Sequence, residues 1–137
     1  MVRHRNMPTH RIRLAGPWEL QTLDDQSRPV GEAVRSQLPF ELRQQQHKFG
    51  VLLIRGFHRP TGIDEATRLR IAMKTNANLI AVRINSKLVT VQIAEFQDEV
   101  TCEITDVIQE FNQLSVQICP DASGADSTLE AVWLEIH

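Results

Sequence analysis

From Thr67 to the end of the chain, apolar residues recur at every second position in short runs split by polar turns. That period places one face of a strand in a core and the other in water, and no helix tolerates it. In Thr67–Met73, the residues Leu69, Ile71 and Met73 share a face opposite Arg68 and Arg70. Leu79–Ile84 sets Ile80, Val82 and Ile84 inward, and Lys87–Ile93 does the same with Val89, Val91 and Ile93. Val100, Cys102 and Ile104 follow, then Leu114, Val116 and Ile118, and finally Val132, Leu134 and Ile136 against Ala131, Trp133 and Glu135. Strands at spacings near ten residues, with no helical pattern between them, predict an all-β sandwich or barrel of eight or so strands. Val51–Phe57 is apolar on both faces and reads as a central strand. His10–Leu14 and Trp18–Leu23 read as an opening pair, interrupted at Gly16-Pro17, which cannot continue a ladder.

The connections carry less information. Asn85-Ser86-Lys87 suits a tight hairpin, because Asn tolerates the left-handed conformation. Asp106–Gln109 reads as a capped turn opening a short helix that Asn112 ends. Gln26–Gln46 reads as loop or short irregular strands around Leu38-Pro39-Phe40, and Pro120–Thr128 as a polar loop. One domain over residues 10–137 is expected, with residues 1–9 as a flexible, arginine-bearing tail.

Composition excludes several functions. A net charge of −2 offers no broad basic field for nucleic acid or an anionic membrane. No apolar run reaches membrane-span length and no secretory pattern opens the chain, so a cytoplasmic location is expected. Cys102 and Cys119 lack metal-ligand spacing and are expected to be buried free thiols, with a bridge between them as the alternative. The histidines are scattered, and no nucleophile or phosphate-binding motif is present, so no enzyme chemistry and no cofactor is expected.

At this point a family resemblance becomes usable. The ordered series Gly16-Pro17-Trp18, Leu38-Pro39-Phe40, Ile54-Arg55-Gly56-Phe57, Ala81–Asn85, Phe96, Val100–Ile104, Asn112–Val116 and Val132–Glu135 resembles the N-terminal sugar-binding domain of family 2 glycoside hydrolases. Ser86 and Glu110 stand where that family usually has glycines, which implies altered turns. The resemblance implies a two-sheet antiparallel jelly-roll sandwich of the galactose-binding-like class. It also implies a non-catalytic module, because the family's catalytic carboxylates lie in a separate domain.

The implied ligand is a carbohydrate, with Trp133, Arg55 and Glu135 as candidate site residues. Sugar sites pair an aromatic platform with planar polar side chains. Trp133 lies opposite the core face, where seating a covering segment such as the opening strand is favoured over serving as a ligand platform. Arg55, on a central strand, is expected to pair with Glu103 or Glu135. Trp18 is expected to cap one end of the core, and Phe40, Phe49, Phe57, Phe96 and Phe111 to anchor core or loops. Arg68, Arg70 and Arg83 would form an exposed strip if their strands pair. A structural calcium held by Asp24 and Asp25 with Glu135 is the weakest expectation, since the spacing matches no calcium loop. The alternative to a sugar module is a structural or protein–protein interaction sandwich with no sugar ligand.

Overall fold

The computed structural model describes residues 10–93, 99–121, 123 and 125–137, so the tail 1–9 and Phe96 lie outside the described residues. The chain folds as an antiparallel β-sandwich. Its strands are β1 (His10–Arg13), β2 (Trp18–Leu23), β3 (Pro29–Ser36), β4 (Phe40–Leu42), β5 (Val51–His58) and β6 (Leu69–Thr75). They continue with β7 (Asn78–Ile84), β8 (Lys87–Val89), β9 (Gln92–Ile93), β10 (Glu99–Glu103), β11 (Phe111–Cys119) and β12 (Ser127–Ile136). Six form a first sheet, in the order β1-β12-β6-β10-β9 with β4 also on β12. The other six form a second sheet, in the order β3-β2-β5-β11-β7-β8. Among the described residues no helix is long and apolar enough to cross a membrane.

Alternation builds the core as expected. Leu69, Ile71, Met73, Cys102, Val132 and Leu134 of the first sheet meet Leu53, Val82, Ile84, Leu114, Val116 and Ile118 of the second in one buried cluster. β5 runs between β2 and β11, the central position expected of it, with Val51, Leu53 and Phe57 buried and Leu52 and Ile54 half-buried on the other face. Trp18 is fully buried and its indole N–H donates to the Leu14 carbonyl at 2.8 Å, so it caps the core where the chain passes between sheets.

Several expectations are corrected. β1 and β2 do not pair: β1 lies on β12, and Gly16-Pro17 falls in the crossing to the second sheet. Ile80 is 54% exposed, because the ladder between β11 and β7 shifts register after Gln117 and turns the start of β7 over. Lys87–Ile93 is not one strand but two short ones in different sheets, which leaves Ile93 outside the core. Gln26–Gln46 contains the eight-residue strand β3, exposed along nearly all its length and therefore without a burial pattern to read. The segment after Ile104 is a 3-10 turn over Thr105–Val107, and Asn112 is a fully buried strand residue rather than a helix terminator. The hairpin at Asn85-Ser86 stands, with φ of 53° and 71° at the two residues.

Cys102 is buried in the first sheet and Cys119 half-buried in the second, and both are free thiols. Burial pushes the Cys102 thiol up to about 12, which withholds the thiolate needed for reaction or metal binding.

Candidate functional site

Trp133, Arg55 and Glu135 do not form one site. Trp133 and Glu135 face outward from the first sheet. Arg55 belongs to the second, in register with the buried Leu114. The expected pairing of Arg55 with Glu103 or Glu135 is absent. Glu103 accepts from the Thr105 hydroxyl at 2.8 Å, and Glu135 is held by Arg11 and Arg70. Arg68, Arg70 and Arg83 form no strip either, because β6 and β7 lie in different sheets.

On the first sheet, β1 lays Arg11 across its neighbours. The Arg11 guanidinium carbon stands 4.4 Å above the Trp133 ring, while Nε donates to Glu135 at 2.5 Å and Nη2 to Glu99 at 2.8 Å. Arg70 donates to the other Glu135 oxygen. Trp133 is thus the seat of the opening strand, and its ring face is occupied by a cation. Hydrogen bonds to Glu99, opposed by burial and helped by Glu135, raise Arg11 above its ordinary value.

Glu135 is only 3% exposed at its side chain. Burial pushes its carboxyl up, but hydrogen bonds and attraction from Arg70 and Arg11 outweigh that and hold it below the usual carboxylate range. A depressed carboxyl stabilises the fold above its unfolded pKa, and the contribution disappears as pH falls through the folded value. Glu135→Gln is therefore expected to lose about 2 kcal/mol at neutral pH, a figure kept modest because both arginines reach solvent. Acid titrations followed by circular dichroism are expected to show a shallower stability loss in the variant than in wild type. Parallel acid limbs would mean that the pair does not govern the limb.

The calcium expectation fails on geometry. Asp24 accepts backbone N–H groups of Gln26 and Arg28 at 2.9 Å within the β2–β3 turn, whereas Glu135 sits on the other sheet between arginines. Among the described residues no three metal-binding side chains converge.

The best-formed concavity lies on the second sheet, with a volume of about 610 Å³. Ile54 and Gly56 of β5 form its floor. Phe111 and Gln113 of β11 stand on one side, and Glu19 and Arg35 on the other. Gly56 faces Gln113 across the ladder, and a Cβ on Gly56 would come within 2.5 Å of the Phe111 ring. Only glycine lets that ring lie over the strand. Phe111 is 56% exposed and meets His58 edge-on at 5.1 Å between centroids. The Arg55 side chain shares the opposite face with Leu53 and Phe57, where its Nη1 donates to the Gly56 carbonyl at 2.6 Å.

The β11 end of this wall is fixed by Asn112. Its amide donates to the carbonyls of Gln109 at 2.9 Å and Phe57 at 3.4 Å, and its oxygen accepts from Gln109 N–H at 2.7 Å and from Asn85 Nδ2 at 3.0 Å. Alternation does not single out Phe111, which precedes the apolar run of β11. The signal in the sequence is Gly56, a glycine inside a central strand, which marks a close approach from a neighbour.

An exposed ring over a glycine floor, beside a carboxylate, an amide and a guanidinium, can stack a flat apolar surface and hydrogen-bond around its rim. Solved structures that share this architecture are β-glucuronidases. One from Bifidobacterium dentium, complexed with coumarin-3-O-glucuronide, matches 85% of this chain with a TM-score of 0.63 and 17% identity. One from Ruminococcus gnavus, in complex with uronic isofagomine, matches 97% with a TM-score of 0.69 and 14% identity. One from an uncultured Clostridium sp. matches 99% with a TM-score of 0.69 and 14% identity. The fold is that of a β-glucuronidase segment. The chain spans 21%, 29% and 30% of those three enzymes' lengths. No family model and no curated protein matches the sequence. The likeness to glycoside hydrolases implied by the ordered motifs is thus met at the level of fold, and this β-glucuronidase-type sandwich presents the Phe111 concavity on its second sheet.

Proposed function

We propose that the domain is a non-catalytic module that binds a carbohydrate in the Phe111 concavity. The observation that carries this is an exposed aromatic ring beside planar polar side chains in a concave site. The apolar face of a pyranose stacks on Phe111, and Glu19, Gln113 and Arg35 meet its hydroxyls. Among the described residues Glu19 is the one carboxylate lining the concavity, whereas glycoside hydrolysis ordinarily uses two flanking the bond. The fold shared with part of several β-glucuronidases supports a carbohydrate setting.

The exposed edge strand β3, with Val30 and Val34 uncovered, favours the alternative of a protein-docking sandwich. That edge is, however, blunted. Glu32 and Arg35 put charge on it, and the Gln21 amide takes the carbonyls of Val30 and Gly31 at 3.2 and 2.8 Å.

A thermal-shift screen against neutral and acidic sugars and polysaccharides tests the proposal. A saturable rise in Tm is expected for wild type and for Trp133→Ala, with the response lost in Phe111→Ala. A response that survives in Phe111→Ala, or no response from any sugar, contradicts it.

A further inference from the structure

The turn between β4 and β5 closes on a buried imidazole. His47 is 8% exposed and lies against the Phe40 ring of β4, 5.4 Å between centroids. Its Nδ1 accepts the Arg43 N–H at 3.0 Å, and its own backbone N–H donates to the Arg43 carbonyl at 2.8 Å. A ring nitrogen that accepts a hydrogen bond carries no proton, so this imidazole is neutral and protonated on Nε2.

The contact sits at a junction. The His47 carbonyl accepts from Gly50 N–H at 2.8 Å, and the Gly50 carbonyl accepts from Leu23 N–H, at the end of β2, at 3.1 Å. The Gln44 amide donates to the Asp121 carbonyl at 2.7 Å, tying the turn to the segment that leads into β12. Arg43, Gln44, Gln45, Gln46 and Asp126 line a concavity of about 370 Å³ there.

The charged groups of the turn and of β4 are Arg43, Lys48 and Glu41, and Glu41 is taken by Arg43 at 2.9 Å. The adjoining segments bring Asp121, Asp126, the thiol of Cys119 and Asp24, which is committed to its own turn. Among the described residues no carboxylate forms an ion pair with His47. Burial, and then the Arg43 charge, hold the imidazole below its ordinary value. The Arg43 N–H favours the neutral ring as well, since it needs the lone pair that protonation removes.

We propose that His47 is an acid-sensitive latch, which holds the turn Arg43–Gly50 closed when neutral and releases it when protonated. A proton on Nδ1 sets two donors against each other in a buried place that offers no acid to balance the charge. The turn opens, the ring reaches water, and the concavity loses the wall that Gln44–Gln46 provide. Because the closed form titrates lower than the open one, the closed turn is fully favoured above the ordinary imidazole value. It loses ground as pH falls below that value.

Amide hydrogen exchange and ¹H–¹⁵N spectra of the whole chain, from about pH 7.5 to about pH 5, span the ordinary imidazole value and test this. The Arg43 amide shift is expected to follow the titration of the His47 ring. Protection at Arg43, His47 and Gly50, corrected for intrinsic exchange, is expected to fall about tenfold more than at the core residue Val116. That is the change expected for one lost hydrogen bond. His47→Asn puts an amide oxygen in place of Nδ1 and cannot titrate, so its turn stays protected throughout. His47→Ala lacks the acceptor and is open at every pH.

An Arg43 amide indifferent to the ring titration overturns the inference, and this result needs wild type alone, whether or not a variant folds. Equal loss of protection in wild type and His47→Asn overturns it too. So does equal loss at Gly50 and Val116, which marks acid unfolding of the whole sandwich rather than release of one turn.

Discussion

Trp18→Ala is expected to lower the unfolding free energy by about 3–5 kcal/mol. The indole is fully enclosed at the point where the chain leaves the first sheet for the second. Its removal empties a large volume that the two sheets cannot close without moving. It also strips the Leu14 carbonyl of the indole donor at 2.8 Å. Trp18→Phe fills most of the space and lacks the donor, so a smaller loss of about 1–2 kcal/mol is expected. Urea unfolding followed by far-ultraviolet circular dichroism separates the two. If the alanine variant loses no more than the phenylalanine one, Trp18 does not hold the core end together.

The second large effect comes from a polar residue. Asn112→Ala is expected to cost about 3 kcal/mol or more, because several buried groups lose their partner together. The N–H and C=O of Gln109, the Phe57 carbonyl and the Asn85 amide all meet this side chain. Asn112→Asp keeps the acceptor for Gln109 N–H and Asn85 but places a charge at a fully buried position, so it is not a rescue. Hydrogen exchange in Asn112→Ala is expected to quicken first in Gln109–Gln113 and at the hairpin residue Asn85. Unchanged protection there would show that the turn is held by its backbone alone.

Where one face of a strand is buried, alternation names the core: Leu69, Ile71 and Met73, or Leu114, Val116 and Ile118, all lie within it. It fails at β3, whose residues face solvent almost throughout, and at Ile80, where a register shift reverses the faces. It also fails at Lys87–Ile93, where an uninterrupted pattern hides a passage between sheets.

The site was less legible for a related reason. Period two tells which face a residue occupies, but not which sheet its strand joins. Trp133 and Glu135 share an outward face, as alternation implies, and the opening strand covers Trp133. Nothing in the alternation assigns the β5 strand of Arg55 and the β12 strand of Trp133 to different sheets, which is where they lie. Phe111 becomes visible as a platform only once β11 is registered on β5 and Gly56 leaves room for its ring.

The central claim is that the second sheet carries a sugar site around Phe111. Amide chemical shifts of the isotopically labelled domain, followed as a neutral and then an acidic oligosaccharide are added, test it most directly. Saturable shifts centred on Glu19, Arg35, Gly56, Phe111 and Gln113 are expected, with Arg11, Trp133 and Glu135 unmoved. Shifts gathered on the Trp133 face, or none with either sugar, would contradict it.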